Sequence, residues 1–213
     1  MNEKSEQEDG RVIETSGFER ARTISLDFDG VLSTLVLGRA WEKARDRKRP
    51  VPVVTPLVHG FKAFAANLTE GFRKPFPQTE EVLRLLRSSG RALYLLTSRR
   101  DERIAAAERW LARYGLDDIF ERTFFNTAGE DADRFKARTV GAQAIDVHID
   151  DDAETLAHLA GQFPDKLFVH MNCYRRMSPA AENIVVVHSW AEVPGIFSLG
   201  NAPGDQKENA NPA

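Results

Sequence analysis

The chain has 213 residues, 42% of them hydrophobic, enough for one α/β domain of ordinary size with a small elaboration. A formal net charge of −3 gives no global electrostatic pull toward nucleic acid or a membrane. Cys173 is the only cysteine, which excludes an intramolecular disulfide and suits a reducing cytosol.

Residues 1–22 read as a flexible N-terminal tail, polar and acidic at its start, without the apolar core of a signal peptide. No uninterrupted apolar run approaches the roughly 18 residues of a membrane span. The expectation is a cytoplasmic chain with no membrane partner.

An α/β domain is expected over 23–199. It opens with Thr23-Ile24-Ser25-Leu26-Asp27-Phe28-Asp29-Gly30-Val31-Leu32. Ile24, Leu26 and Phe28 alternate with Ser25 and Asp27, the period of a strand. Gly30 marks where the chain leaves it. Two carboxylates therefore sit at the C-terminal end of a strand, where open α/β sheets bind ligands. Burying them alone is costly, and a divalent cation would remove the difficulty; oxygen-rich sites suit Mg²⁺.

Residues 33–77 read as a small cap-like insertion. A basic cluster, Lys43, Arg45, Arg47, Lys48 and Arg49, precedes Pro50, Pro52 and Pro56, which force an extended path. The cluster reads either as a solvated loop face or as a contact for an anionic substrate such as a nucleotide or a nucleic-acid end. From Leu57 the pattern is helical, with Val58, Phe61, Phe64, Ala65 and Leu68 on the same face.

Beyond it strands and helices alternate. Thr79 can cap a helix with Val82, Leu83, Leu85 and Leu86 on its apolar face, ending at Gly90. Ala92–Leu96 is a buried strand running into Thr97, Ser98, Arg99 and Arg100. Thr97 and Ser98 can each serve as a helix cap, Ser98 the better of the two. A helix from near Asp101 places Ile104, Ala107, Leu111 and Tyr114 together, with Gly115 as its C-cap. Ile119 to Phe125 holds a short strand, Arg134 to Val140 a short helix, and Ile145 to Ile149 a strand ending in Asp150, Asp151 and Asp152. A helix with Leu156, Leu159 and Ala160 follows, then strands at Leu167–Met171 and Ile184–Val187. Residues 200–213 read as a disordered C-terminal tail. The spacing is that of βαβ units. It predicts a three-layer, Rossmann-like, mostly parallel sheet with helices on both faces. Three strand ends, at Asp27/Asp29, Thr97/Ser98 and Asp150–Asp152, then share one edge.

Asp27-Phe28-Asp29-Gly30 after a hydrophobic strand resembles motif I of the haloacid dehalogenase-like superfamily, in its phosphatase form. Leu95-Leu96-Thr97 is similar to motif II, Lys136 to the motif III lysine, and His148-Ile149-Asp150-Asp151 to the acidic motif IV. The resemblance spans most of Thr23 to Asp152. It implies that Asp27 is a nucleophile forming an aspartyl-phosphate and Asp29 a general acid and base. It further implies that Thr97 binds a phosphoryl oxygen and that Lys136 neutralises Asp27 and the transferring group. Mg²⁺ would be held by Asp27, Asp29 through its backbone carbonyl, and Asp150, with Asp151 holding a metal-bound water.

By residue type, Asp152 reads as a helix cap and His148 as a hydrogen-bonded core histidine on the strand face of Asp150. Arg99 and Arg100 read as surface arginines at a helix start, or as substrate contacts. The expected substrate is a small-molecule or nucleotide phosphoester. The alternative is a non-catalytic phosphate- or metal-binding module of the same fold. A Ca²⁺ loop is disfavoured, because Gly30-Val31-Leu32 replaces the alternating ligands such a loop needs.

Overall fold

The computed structural model describes residues 16–34, 73–175 and 177–199. The basic cluster, the helix expected from Leu57 and the C-terminal tail lie outside the described residues.

Six strands form one sheet: β1 (Thr23–Leu26), β2 (Ala92–Thr97), β3 (Arg122–Phe125), β4 (Val147–Asp150), β5 (Leu167–Met171) and β6 (Ile184–Val187). Their order is β3-β2-β1-β4-β5-β6, and every pair is parallel. The helices are α1 (Ser16–Arg20), α2 (Thr79–Ser88), α3 (Glu102–Arg113), α4 (Ala132–Ala142), α5 (Ala153–Gln162) and α6 (Val193–Ile196). None among the described residues is long and apolar enough to cross a membrane.

Strand alternation divides the core between the two sheet faces. Ile24, Leu26, Leu93, Leu95, Val147, Ile149 and Val169 join Val82, Leu83 and Leu86 of α2, Trp110 and Leu111 of α3, and Ile196 of α6 in one large cluster. The opposite face is covered by α4 and α5 and holds two smaller clusters. One is Leu96, Phe135, Val140 and Ile145; the other includes Ala137, Leu156, Leu159 and Phe168. Both faces are apolar because a parallel sheet is buried on both.

Several local expectations change. Ser16–Arg20, within the expected tail, form a short helix. Its Phe18 is fully buried and meets Phe197 edge-on at 5.8 Å. Thr79 is the first helical residue of α2 rather than its cap. Gln78 holds the cap position at φ 64°, and the buried Thr79 hydroxyl has no hydrogen-bond partner among the described residues. Neither Thr97 nor Ser98 caps α3, because that position falls to Asp101. Gly115 does end α3. At φ 62° its N–H donates to Ala112 O and the next, Leu116 N–H, to Leu111 O, the paired bonds of a Schellman stop. Asp152 caps α5 by accepting from Glu154 N–H at 3.2 Å.

The connection order reverses between β1 and β4, which are adjacent in the sheet. The crevice outside their carboxyl ends is the switch point where such sheets bind ligands.

Candidate active site

Asp27 follows β1 directly, and its N–H donates to Ile149 O at 2.9 Å, which ties it to β4. The chain then folds back on itself. Phe28 O accepts from the N–H groups of Leu32 and Ser33, and Gly30 N–H donates to Ser33 O. Gly30 has φ 78°, and a Cβ there would run into the Asp151 carboxylate. Only glycine allows this loop to come so close to the end of β4.

Asp150 ends β4, fully buried. With Asp27 and Asp151 it offers three carboxylate oxygens within 4.8 Å of one another. Lys136 reaches over from α4. Its Nζ donates to Asp150 Oδ2 at 2.6 Å and lies 3.3 Å from Asp27 Oδ1. The loop Asn126–Asp131 before α4 closes on itself, with Asn126 Nδ2 donating to Glu130 O at 2.7 Å and Glu130 N–H to Asn126 Oδ1 at 2.9 Å.

The charges are unevenly matched. Burial pushes the Asp27 carboxyl up to about 7; Lys136 draws it down but Asp150 and Asp29 push it further up. Burial also works against ionised Asp150, but Lys136 and His148 outweigh it and hold Asp150 below the ordinary carboxylate range. For Lys136 burial opposes the charge, and Asp150 and Asp27 more than restore it, so its ammonium is held firmly. Three carboxylates share one ammonium, and one of them ionises reluctantly. That donor set fits a hard dication such as Mg²⁺, which takes oxygen ligands and would relieve the excess negative charge.

Asp29 points elsewhere. Arg99 grips both its oxygens, Nε to Oδ2 at 2.9 Å and Nη2 to Oδ1 at 2.8 Å. Arg73 also donates from Nη1 to Asp29 Oδ1, and to Ser33 Oγ at 3.1 Å. Burial alone would raise the Asp29 carboxyl, yet Arg99 and then Arg73 hold it well below its usual range. Arg99 is buried, with its guanidinium 4.1 Å from the centre of the Phe28 ring. Arg73 is fixed through its own carbonyl, which accepts from Trp110 Nε1 at 3.1 Å and Tyr114 Oη at 2.9 Å.

Asp27, Lys136, Asp150 and Asp151 are therefore brought together. Asp29 adjoins them but faces two arginines. Thr97 ends β2, buried, two residues beyond the Leu26–Leu95 pair, and its hydroxyl accepts from Arg99 N–H at 3.4 Å. Of the two readings the sequence offered for Arg99, surface residue or substrate contact, burial overturns the first; its grip on Asp29, and Arg73 altogether, are what sequence reasoning missed. Arg100 stays outside, with Nη1 3.5 Å from Gly129 O. His148 is a buried, hydrogen-bonded histidine, joined to Ser25 Oγ at 2.8 Å and Asp150 Oδ2 at 3.1 Å. Burial lowers its pKa, which keeps the ring neutral.

No protein-family model matches the chain, and no curated protein does. Solved structures do. A haloacid dehalogenase-like family hydrolase from Streptococcus pneumoniae aligns over 83% of this chain and 98% of its own, with TM-score 0.53 and 14% identity. CbbY from Rhodobacter sphaeroides, in complex with phosphate, aligns over 84% and 100%, with TM-score 0.57 and 15% identity. A HAD phosphatase from Thermococcus onnurineus aligns over 85% and 99%, with TM-score 0.56 and 14% identity. At such identities the likeness is one of fold. The six-stranded parallel sheet, its order and these alignments agree: the chain has the haloacid dehalogenase-like fold.

Proposed function

We propose that the chain is a Mg²⁺-dependent phosphomonoester hydrolase working through an aspartyl-phosphate on Asp27. The observation that carries this reading is the cluster of Asp27, Asp150 and Asp151 around the Lys136 ammonium, at the switch point of the sheet.

Phosphoryl transfer asks for an anionic nucleophile to approach an anionic phosphate, with charge neutralised and the line of attack fixed. Asp27, Asp150 and Asp151, with the Asp29 backbone carbonyl, would hold Mg²⁺, which when bound would supply charge neutralisation. Asp27 attacks phosphorus with one carboxylate oxygen; the P–O bond to the leaving group breaks, and its electron pair goes to the leaving oxygen. Lys136 offsets the charge on Asp27 and the transferring group. Preorganised donors of this kind are worth roughly 2.7–4 kcal/mol each. Thr97, at the neighbouring strand end, offers a hydroxyl and a backbone N–H to a phosphoryl oxygen. The proton for the leaving oxygen comes in on the phosphomonoester monoanion and passes through Asp29, a carboxylate at rest, which then takes a second proton from the water that attacks the aspartyl-phosphate. Water attack returns Asp27 and releases phosphate.

The basic cluster Lys43–Arg49, in the segment entered just after Asp29, favours a nucleotide or another polyanionic phosphoester as substrate. The test is phosphate release from a generic aryl phosphate with and without Mg²⁺, beside Asp27→Asn. Mg²⁺-dependent release abolished in the variant supports the reading. Mg²⁺ binding without turnover on a broad panel of phosphate esters would replace it with a binding module.

A further inference from the structure

The core beneath α4 and α5 is interrupted where a continuous one would be expected. The Leu96–Phe135–Val140 cluster lies toward β2, and the Leu156–Leu159–Phe168 cluster toward β5. Between them run the two central strands, whose register sets Ser25 of β1 beside His148 of β4. Both residues are fully buried. Two aliphatic side chains here would join the clusters. A hydroxyl and an imidazole cost stability at such a depth unless each polar atom finds a partner.

Each does, and in one direction only. Asp150 Oδ2 is 3.1 Å from His148 Nε2 and already accepts from Lys136. A carboxylate held in its charged form can only accept, so Nε2 carries the hydrogen. His148 Nδ1 is then the acceptor, and the Ser25 hydroxyl, 2.8 Å away, donates to it. Hydroxyl, imidazole and carboxylate form one directed chain ending on the central acid of the cluster. Asp150 Oδ1 meanwhile accepts from Asp152 N–H at 3.1 Å. Three donors from three directions thus fix the rotation of this carboxylate.

We propose that His148, its tautomer set by Ser25, is a positioning residue that orients Asp150 for a divalent cation. The inference rests on the reading that Asp27, Asp150 and Asp151 hold such a cation. The polar pair is retained in the core for the site above it, as outer partners of metal ligands commonly are.

The test uses the full chain, titrated with Mn²⁺ and separately with Mg²⁺ by calorimetry, with Tm measured in EDTA. Three variants are compared: His148→Leu, His148→Gln and Ser25→Ala. His148→Leu should weaken cation binding by roughly 10–100-fold, the usual effect of losing an outer partner. Its Tm in EDTA should fall by no more than a few degrees, because leucine joins the two apolar clusters and offsets part of the cost of leaving the buried Ser25 hydroxyl without an acceptor. His148→Gln, whose amide N–H₂ can reach where Nε2–H was, should recover binding to within about threefold of the wild type. Ser25→Ala lets the ring hydrogen move to Nδ1 and should fall between the two. Unchanged binding in His148→Leu overturns the inference. So does an equal loss of binding in His148→Gln and His148→Leu, which marks a purely structural histidine. A wild type that binds neither cation overturns the metal reading itself, a result distinct from both.

Discussion

Arg99 takes both carboxylate oxygens of Asp29 in a two-pronged bond, with Phe28, the residue between the two aspartates, lying under its guanidinium. A planar fork of this kind fixes direction as well as charge. Lysine carries the same charge but can satisfy only a point contact. Arg99→Lys should therefore lower kcat about 100-fold on an alkyl phosphomonoester, the usual cost of roughly 1 Å of misplacement, with little change in KM. Steady-state kinetics decides it. A kcat within a few-fold of wild type would mean that the orientation of Asp29 does not limit the reaction.

The same clamp holds Asp29 as a carboxylate in the resting site. That form suits the second half of the proposed reaction, in which Asp29 takes a proton from water. The first half needs it to give one, and the need depends on the leaving group. An aryl oxide leaves readily; an alkoxide does not. Asp29→Asn should then still form the aspartyl-phosphate from an aryl phosphate but hydrolyse it slowly. With an alkyl phosphate it should fail at the first step. Rapid quench with labelled substrates separates the two cases, and accumulation from both or from neither contradicts the division of labour.

Asp27 shows the opposite electrostatics, its carboxyl pushed up to about 7 by burial and by Asp150 and Asp29. An acid whose pKa is raised on folding binds more protons in the folded state. Its contribution to metal-free stability therefore falls as pH rises from about 4 to about 7 and stays reduced above that. Asp29 and Asp150, held low, behave the other way: their contribution is present above pH ~4 and is lost as the medium becomes more acid. Replacing Asp27 by Asn removes the penalty. In EDTA at pH 8 the variant should be more stable than wild type by on the order of 3 kcal/mol, roughly 6–12 °C in Tm for a chain of this size. At pH 4 the two should nearly coincide. Saturating Mg²⁺ should close the gap at pH 8, because the cation binds only the folded wild-type site tightly. Thermal scans across pH, with and without Mg²⁺, check all three statements.

The strand ends carrying the acids were legible because a period of two running into Asp-x-Asp-Gly, and an apolar run ending in three aspartates, each mark an edge of the sheet. Lys136 was legible only through the family resemblance; nothing in Arg134–Val140 alone distinguishes it from a solvated lysine. The arginines were hidden for a different reason. Arg99 follows a strand and precedes a helix, where long charged side chains usually snorkel to water. Its burial depends on Asp29 and Phe28, some seventy residues earlier. Arg73 stands at the far end of the insertion, and Trp110 and Tyr114 of another element fix it. Ser25 reads as an ordinary position of an alternating strand, and His148 as a hydrogen-bonded core histidine with no partner named beyond its own strand. Their pairing follows from β1 and β4 being neighbours, which the order of the chain does not state. Phe18 was lost in a polar stretch, since one aromatic residue gives no period.

Gly30 offers the last test. Its left-handed φ of 78° already strains any side chain, and the space a Cβ would take is filled by the Asp151 carboxylate. Gly30→Ala must therefore either push Asp151 away or lift the loop that carries Asp29. The backbone strain alone should cost on the order of 1 kcal/mol. If Asp151 moves, cation affinity should fall by about tenfold or more while the Arg99–Asp29 pair stays in place. If the loop lifts, kcat should fall and cation affinity hold. Calorimetry with Mn²⁺ beside steady-state kinetics on the same sample tells which end of the contact yields. A variant that keeps wild-type affinity, kcat and Tm would show that the two loops are not held as close as their geometry requires.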